Sequence, residues 1–166
     1  MNAFQVRKAS PRDAAGIVRV LEAIAAERVH SAITEPWSVE QEERYLESLS
    51  PREAFHVAVD ENGAIAGFQS LDLWSPLPSM SHVGQLGTFL LPQYRARGIA
   101  RKLWAATESF AREAGYRKLA IQVRGANQAA QSYYRGIGFR ECGRFERQVL
   151  IDGVEDDEVL MELFLA

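Results

Sequence analysis

Phe89-Leu90-Leu91-Pro92-Gln93-Tyr94-Arg95-Ala96-Arg97-Gly98-Ile99-Ala100 is a stretch in which a strand breaks into a turn and the turn opens directly onto a helix. The apolar run ends at Pro92, which cannot donate to a ladder. Downstream, Ile99, Leu103, Ala106, Phe110 and Ala114 keep helical spacing, and Gly115 suits a helix C-terminus. A helix N-terminus presents N–H groups without intrahelical partners and roughly half a positive charge, so an anionic diphosphate fits there when no side chain obstructs it. Gly98 and Ala100 are small, and Arg95, Arg97 and Arg101 gather positive charge around the turn. A solvated basic helix start has the same composition, so both readings stand at this point. The Gly-x-Gly-x-x-Gly spacing and the Gly-Lys-Ser/Thr ending are absent, which excludes a dinucleotide fingerprint and a Walker loop.

Upstream of this turn, Phe4 to Arg7 alternates as a first strand, and Ser10-Pro11-Arg12-Asp13 starts a helix whose face Ile17, Val20, Leu21 and Ile24 carry to about Glu27. Ser38, with Gln41 three residues on, caps a second helix that ends at Ser50-Pro51. Phe55 to Val59 and Ile65 to Leu73 flank Asp60-Glu61-Asn62-Gly63 as a hairpin. Trp74 to Pro78 is a proline-punctuated loop, and Ser81 to Leu91 is a fourth strand in which Gly84 and Gly87 suggest bulges. Past the third helix, Leu119 to Val123 reads as a buried strand. Asn127 opens a fourth helix that ends near Gly138, and Phe139 to Leu150 and Val159 to Leu165 close the chain around Asp152-Gly153. The acidic run Glu155 to Glu158 reads as a solvated turn.

The order is β-α-α-β-β-β-α-β-α-β-β, an α/β chain of the α+β type. Its sheet is mixed and mostly antiparallel, six- to seven-stranded, with helices on both faces and a strand-helix-strand unit at the middle. Ligands of open α/β sheets lie beyond the carboxyl ends of central strands, which points to the segments after Leu91 and after Val123. In the second of these, Asn127, Ala130 and Tyr134 fall at i, i+3 and i+7 on one helical face. Small Ala130 admits close approach, while Asn127 offers an amide and Tyr134 a hydroxyl; core packing alone would use the same residue types.

With 166 residues, 47% of them hydrophobic and 25% charged, the chain has ordinary globular composition and is expected to form one domain over residues 1–166. Its net charge of -3, from 22 acidic against 19 basic residues, gives no general reason to bind nucleic acid. Arg117, Lys118, Arg124, Arg135, Arg140 and Arg144 read as a scattered solvated surface. No apolar run approaches the roughly 18 residues of a membrane span. Cys142 is the single cysteine, so no internal disulfide exists, and the expected setting is the cytoplasm. His30, His56 and His82 show no paired metal-ligand spacing, and no metal is expected.

Taken together, the two segments resemble the GNAT superfamily, the GCN5-related N-acetyltransferases. That family's Arg/Gln-x-x-Gly-x-Gly/Ala turn is met at Arg95, Gly98 and Ala100, and its Asn-x-x-Ala-x-x-x-Tyr-x-x-x-Gly-Phe pattern at Asn127, Ala130, Tyr134, Gly138 and Phe139. Ala96 stands where many relatives carry glycine. The resemblance runs from Phe4 to Leu165 and implies the acyl-CoA N-acyltransferase fold.

It further implies an acetyl-CoA-dependent N-acetyltransferase that acts through a ternary complex without an acyl-enzyme. Phe89, Leu90 and Leu91 would pair with the pantetheine, and the Leu90 N–H would polarise the thioester. Arg95, Ala96, Arg97, Gly98, Ile99 and Ala100 would hold the pyrophosphate, with Asn127, Ala130 and Tyr134 completing the cofactor surface. Tyr134 would be the general acid for the departing thiolate. Cys142 is then expected to be an inert, partly buried thiol.

The acceptor is expected to be the amine of a small molecule, with Trp74 to Met80 bordering its pocket. A protein N-terminus or lysine, or a non-catalytic coenzyme A-binding module, are the alternatives. His82, Glu27 and Glu35, or a water chain leading to a base, are the candidates for taking the amine's proton, and the last strands could form a homodimer.

Overall fold

The computed structural model describes residues 3–165. Strand β1 (Gln5–Lys8) is followed by a single turn of tight helix at Pro11–Asp13 and then α1 (Ala14–Glu27). Asp13 accepts the Ser10 backbone N–H at 2.8 Å, which satisfies a donor that the helix start would otherwise leave open. Helix α2 (Val39–Ser48) is capped by Ser38, whose hydroxyl accepts from the Gln41 N–H while Gln41 reaches back to the Ser38 N–H. The chain continues through β2 (Ala54–Val59), β3 (Ile65–Leu73), β4 (Val83–Leu90), α3 (Ile99–Glu113), β5 (Lys118–Arg124), α4 (Gln128–Gly136), β6 (Arg140–Ile151) and β7 (Val154–Phe164).

The seven strands form one sheet in the order β1-β2-β3-β4-β5-β7-β6, antiparallel everywhere except between β4 and β5. Every residue of β2 is buried, because alternate side chains serve two layers. Phe55, Val57 and Val59 pack with Ile17, Leu21 and Leu46 from α1 and α2. On the other face, Ala58 meets Ile99 and Leu103, and His56 bonds Thr107 of α3 at 3.1 Å. Helices therefore cover both faces of the sheet. Leu103 is fully buried, and its truncation to alanine would cost about 2–5 kcal/mol.

Three local expectations are corrected. The β3–β4 ladder runs without a shift from Gly67–Leu90 to Leu73–Gly84, so Gly84 and Gly87 are not bulges. Gly84 instead provides room: a Cβ there would lie 2.7 Å from Leu71 and 3.0 Å from Leu119. The run Glu155–Glu158 is not a turn but part of β7, which begins at Val154. Arg144 on β6 engages Asp157, Arg147 engages Glu155, and buried Arg124 on β5 holds Asp156, so cross-strand ion pairs make an acidic strand tolerable. Cys142 is exposed rather than partly buried, since its position on β6 faces away from the core.

Candidate active site

Strands β4 and β5 are hydrogen-bonded only at Val83–Lys118, Gly84–Leu119 and Gln85–Ala120. Beyond these pairs β4 stays on β3 as far as Leu90, and β5 stays on β7 as far as Arg124. The two central strands therefore diverge toward their carboxyl ends. A wedge opens in mid-sheet, and the facing edge of β4 carries main-chain groups without a strand partner.

The turn after β4 closes one end of this wedge. Pro92–Tyr94 makes a short helical turn, after which Ala96 and Gly98 take left-handed conformations at φ 59° and 77°. Left-handed residues interleaved in a turn aim successive N–H groups into one concavity. Gly98 is the N-cap of α3 and offers no side-chain acceptor, so the first N–H groups of the helix are uncapped. A Cβ on Gly98 would meet nothing within 4 Å, so glycine is needed there for its dihedral and not for space.

Arg95 braces the turn from outside. Its guanidinium makes two bonds to Glu27 at the end of α1, at 2.8 and 2.5 Å, and a third to the Leu90 carbonyl at 3.3 Å. The Arg95 guanidinium holds the Glu27 carboxyl below its ordinary range. Glu27 is thus an ionised structural partner and a weak proton acceptor. Arg97 lies over the Tyr94 ring at 5.8 Å, while Arg101 lines the wedge.

Helix α4 forms the opposite wall. Asn127 caps it through Oδ1, which accepts the Ala130 N–H at 3.1 Å, and its Nδ2 donates to the His30 carbonyl at 3.2 Å. Gln131 donates to the carbonyls of Arg124 and Gly125, fixing the helix on the end of β5. Tyr133 donates to the Ala100 carbonyl at 2.9 Å, tying α4 to the first turn of α3. Tyr134 donates to Thr88 Oγ1 on β4 at 2.8 Å. The same hydroxyl accepts Gln69 Nε2, also at 2.8 Å, so Thr88 spends both lone pairs on β3 and α4. Burial pushes the Tyr134 phenol up to about 12, which keeps its proton in place at neutral pH.

The resulting cleft has a volume of about 500 Å³. Of the residues singled out in the sequence, Phe89, Leu90, Arg95, Ala96, Gly98, Ile99, Ala100, Asn127, Ala130 and Tyr134 line it. Leu91 and Arg97 do not; the Leu91 N–H is taken by the Ala66 carbonyl at 2.9 Å. Thr88, Tyr133 and His30 also line it and carried no sequence signal, because their roles depend on contacts 33 to 97 residues away along the chain.

A second cleft of about 620 Å³ meets the first at Phe89. Its walls come from the segment 32–37, from α2, and from β2, β3 and β4. The loop Trp74 to Met80 does not line this cleft; the stretch after α1 does. His82 precedes β4 at the end opposite Leu90, roughly 25 Å away at about 3.3 Å per residue, and is too distant to serve as a base. Glu35 lies on the rim of the second cleft. Among the described residues no group of three or more His, Cys, Asp or Glu side chains converges to hold a metal ion, and no helix is long and apolar enough to cross a membrane.

A parallel pair that splays, a turn of exposed amides and a buried tyrosine across the wedge together define an acyl-coenzyme A-dependent transferase. The acetyltransferase (GNAT) family matches residues 20–139, and the chain belongs to that family. It is an N-acetyltransferase dependent on acetyl-CoA. Across 152 residues, 92% of this chain and 93% of the other, it is 25% identical to YwnH of Bacillus subtilis (strain 168), whose given name is that of a phosphinothricin acetyltransferase. It is 33% identical over 107 residues to an aminoglycoside N(6')-acetyltransferase type 1 of Stenotrophomonas maltophilia, covering 61% of this chain and 70% of that one. In fold it resembles yncA from Salmonella typhimurium, solved with its cofactor acetyl-CoA, at a TM-score of 0.91, 19% identity and coverage of 99% and 95%.

Proposed function

We propose that this chain, as one catalytic domain over residues 1–166 acting in the cytoplasm, moves the acetyl group of acetyl-CoA directly to the primary amine of a small molecule. The observation that carries the reading is the wedge between β4 and β5, with uncapped amides at one end and Tyr134 at its wall. When bound, acetyl-CoA supplies the activated carbonyl as a thioester.

The residues present fit that group. The N–H groups around Ala96 to Ala100 suit the pyrophosphate, and the left-handed φ of Ala96 and Gly98 is what turns them inward. The free edge of β4 at Phe89 and Leu90 suits the amide-bearing pantetheine arm, which would pair with it as an added strand. Small Ala130 leaves space beside it, and Asn127 keeps α4 in position. Leu91 and Arg97, also expected at this site from the sequence, would act by shaping the turn.

Transfer forms a bond from the amine nitrogen to the carbonyl carbon and breaks the carbon–sulfur bond. Tyr134 gives the hydroxyl proton to the departing sulfur and is reprotonated through water by the proton the amine releases. A phenol at about 12 is a weak acid toward water yet a competent donor to a thiolate formed within bonding distance. Holding both reactants in one cleft removes much of the entropic barrier, and the Leu90 N–H is the donor proposed to stabilise the carbonyl oxygen. Cys142 is an exposed residue whose thiol is pushed up by slight desolvation and by Glu162, and it has no part in the proposed transfer.

A small-molecule acceptor is supported by the size of the second cleft, about 620 Å³, and by the names of the relatives. The test is thiol release from acetyl-CoA with amino acids, diamines, aminoglycosides and short peptides, run beside calorimetry of acetyl-CoA binding. Release with a small amine is the expected result. Binding without release for any amine would assign a sensing role, and release only with peptides would assign a protein acceptor.

A further inference from the structure

The second cleft holds a carboxyl group whose burial has no partner to account for it. Glu42 on α2 is 2% exposed, lines the cleft, and makes no side-chain hydrogen bond or ion pair among the described residues. Burying a carboxylate without a partner is costly, so such a group is retained where something else completes it. Asp72 on β3 lines the same cleft, acts on the Glu42 carboxyl through its charge, and accepts the Tyr45 hydroxyl.

Three features of the lining specify what would complete the pair. Among the described residues no Lys, Arg or His contributes to the cleft, whereas Glu35, Glu42 and Asp72 all do. The rings of Trp37, Tyr45, Phe55, Phe68 and Phe89 form part of the walls, and aromatic faces favour alkylammonium groups. Arg52, just before β2, does not line the cleft; it is stacked 4.5 Å from the Tyr116 ring centroid and bonded to the Ser81 carbonyl. An acceptor with its own carboxylate, as every amino acid has, would bring a third anion to Glu42 and Asp72 and find no cation to meet it.

Resting on the acetyl-transfer reading above, we propose that this cleft selects acceptors with two or more amino groups and no carboxylate, the Glu42–Asp72 pair gripping one ammonium while another amine reaches past Phe89 to the thioester. The cleft volume of about 620 Å³ accommodates a diamine or an amino sugar.

The experiment compares 1,5-diaminopentane, pentylamine, lysine and phosphinothricin as acceptors with the intact protein. The diamine is expected to exceed pentylamine at least thirtyfold in kcat/KM and lysine at least tenfold. Glu42→Gln and Asp72→Asn, both isosteric, should each collapse the diamine-to-monoamine ratio at least tenfold, with acetyl-CoA affinity serving as the measure of correct folding. Pentylamine or phosphinothricin matching the diamine, or a ratio indifferent to both substitutions, overturns the proposal.

Calorimetry of the coenzyme A-saturated protein reads the cleft independently of turnover. Heat with the diamine and none with phosphinothricin supports the proposal even if no thiol is released, an outcome that would count against acetyl transfer alone. Absence of heat with the diamine overturns it.

Discussion

The Tyr134 hydroxyl lies 2.8 Å from Thr88 Oγ1, joining α4 to β4 across the point where the central strands have parted. The bond keeps the phenol aimed into the wedge while the ring packs on Phe139 at 5.4 Å. Tyr134→Phe keeps the ring and removes the proton. Its expected effect is a fall in kcat of roughly 10²- to 10³-fold, with acetyl-CoA affinity changed by less than about threefold. Steady-state kinetics with saturating acceptor, together with calorimetry, separates these quantities; unchanged kcat would remove Tyr134 from proton transfer.

Gly98 carries its left-handed φ of 77° at the start of α3, and Ala96 carries 59° two residues earlier. Gly98→Ala should destabilise the fold by about 1 kcal/mol and lower the melting temperature by roughly 2–4 °C, because the added Cβ is strained by its dihedral. Acetyl-CoA affinity should fall with it as the amides turn away. Ala96→Gly relieves the same strain at the other position, and affinity is expected to hold or rise. Thermal melts and titration of the two variants check both signs.

Arg95 and Glu27 tie the turn to α1, and both are partly exposed, so the pair should contribute less than about 1 kcal/mol to stability. Its larger effect should be on the shape of the turn. Arg95→Ala is expected to raise KM for acetyl-CoA severalfold while leaving kcat for the bound complex nearly unchanged. Glu27 is held below its ordinary range, so its contribution is present above about 4.5 and is lost as pH falls through the lowered value.

Glu42 acts on stability with the opposite sign. Burial first, and Asp72 second, push its carboxyl from 4.5 to about 7, so between those values the native state holds a proton that the unfolded chain has released. Tyr45, Asp72 and Glu35 share its cleft, and Glu53 adds a further negative charge near Asp72. Stability should therefore fall as pH rises from 4.5 to 7, by up to roughly 3 kcal/mol from this group. Glu42→Gln should flatten that slope and raise the melting temperature at pH 8. Denaturant titrations of both proteins at pH 5 and pH 8 make the comparison.

Cys142 sits exposed on β6, away from the wedge, with its thiol pKa raised. Cys142→Ser is expected to retain full kcat, and alkylation of the wild-type thiol should leave activity within about twofold. Mass spectrometry of protein mixed with acetyl-CoA alone should show no acetylated Cys142. A stable acetyl adduct there would contradict direct transfer.

Most of the local elements, and the two segments that line the first cleft, were legible in the amino-acid sequence alone. Ser38 with Gln41, Gly63, Gly98 and Gly115 punctuate the chain through caps and positive dihedrals that depend only on neighbouring residues. The spacing of Asn127, Ala130 and Tyr134 places three side chains on one helical face wherever that helix lies. What required the tertiary structure were relations between distant segments: the divergence of β4 from β5, the bonds from Tyr134 to Thr88 and from Arg95 to Glu27, and the pairing that turned an acidic run into a strand.

The second cleft belongs wholly to that second group. In the sequence, Glu42 is one of three acids in the run Glu40-Gln41-Glu42-Glu43, and Asp72 is one of several polar residues near a strand end. Only when α2 lies over β3 is Glu42 withdrawn from water beside Asp72, because burial is a property of what packs above a residue and not of the residues beside it in the chain.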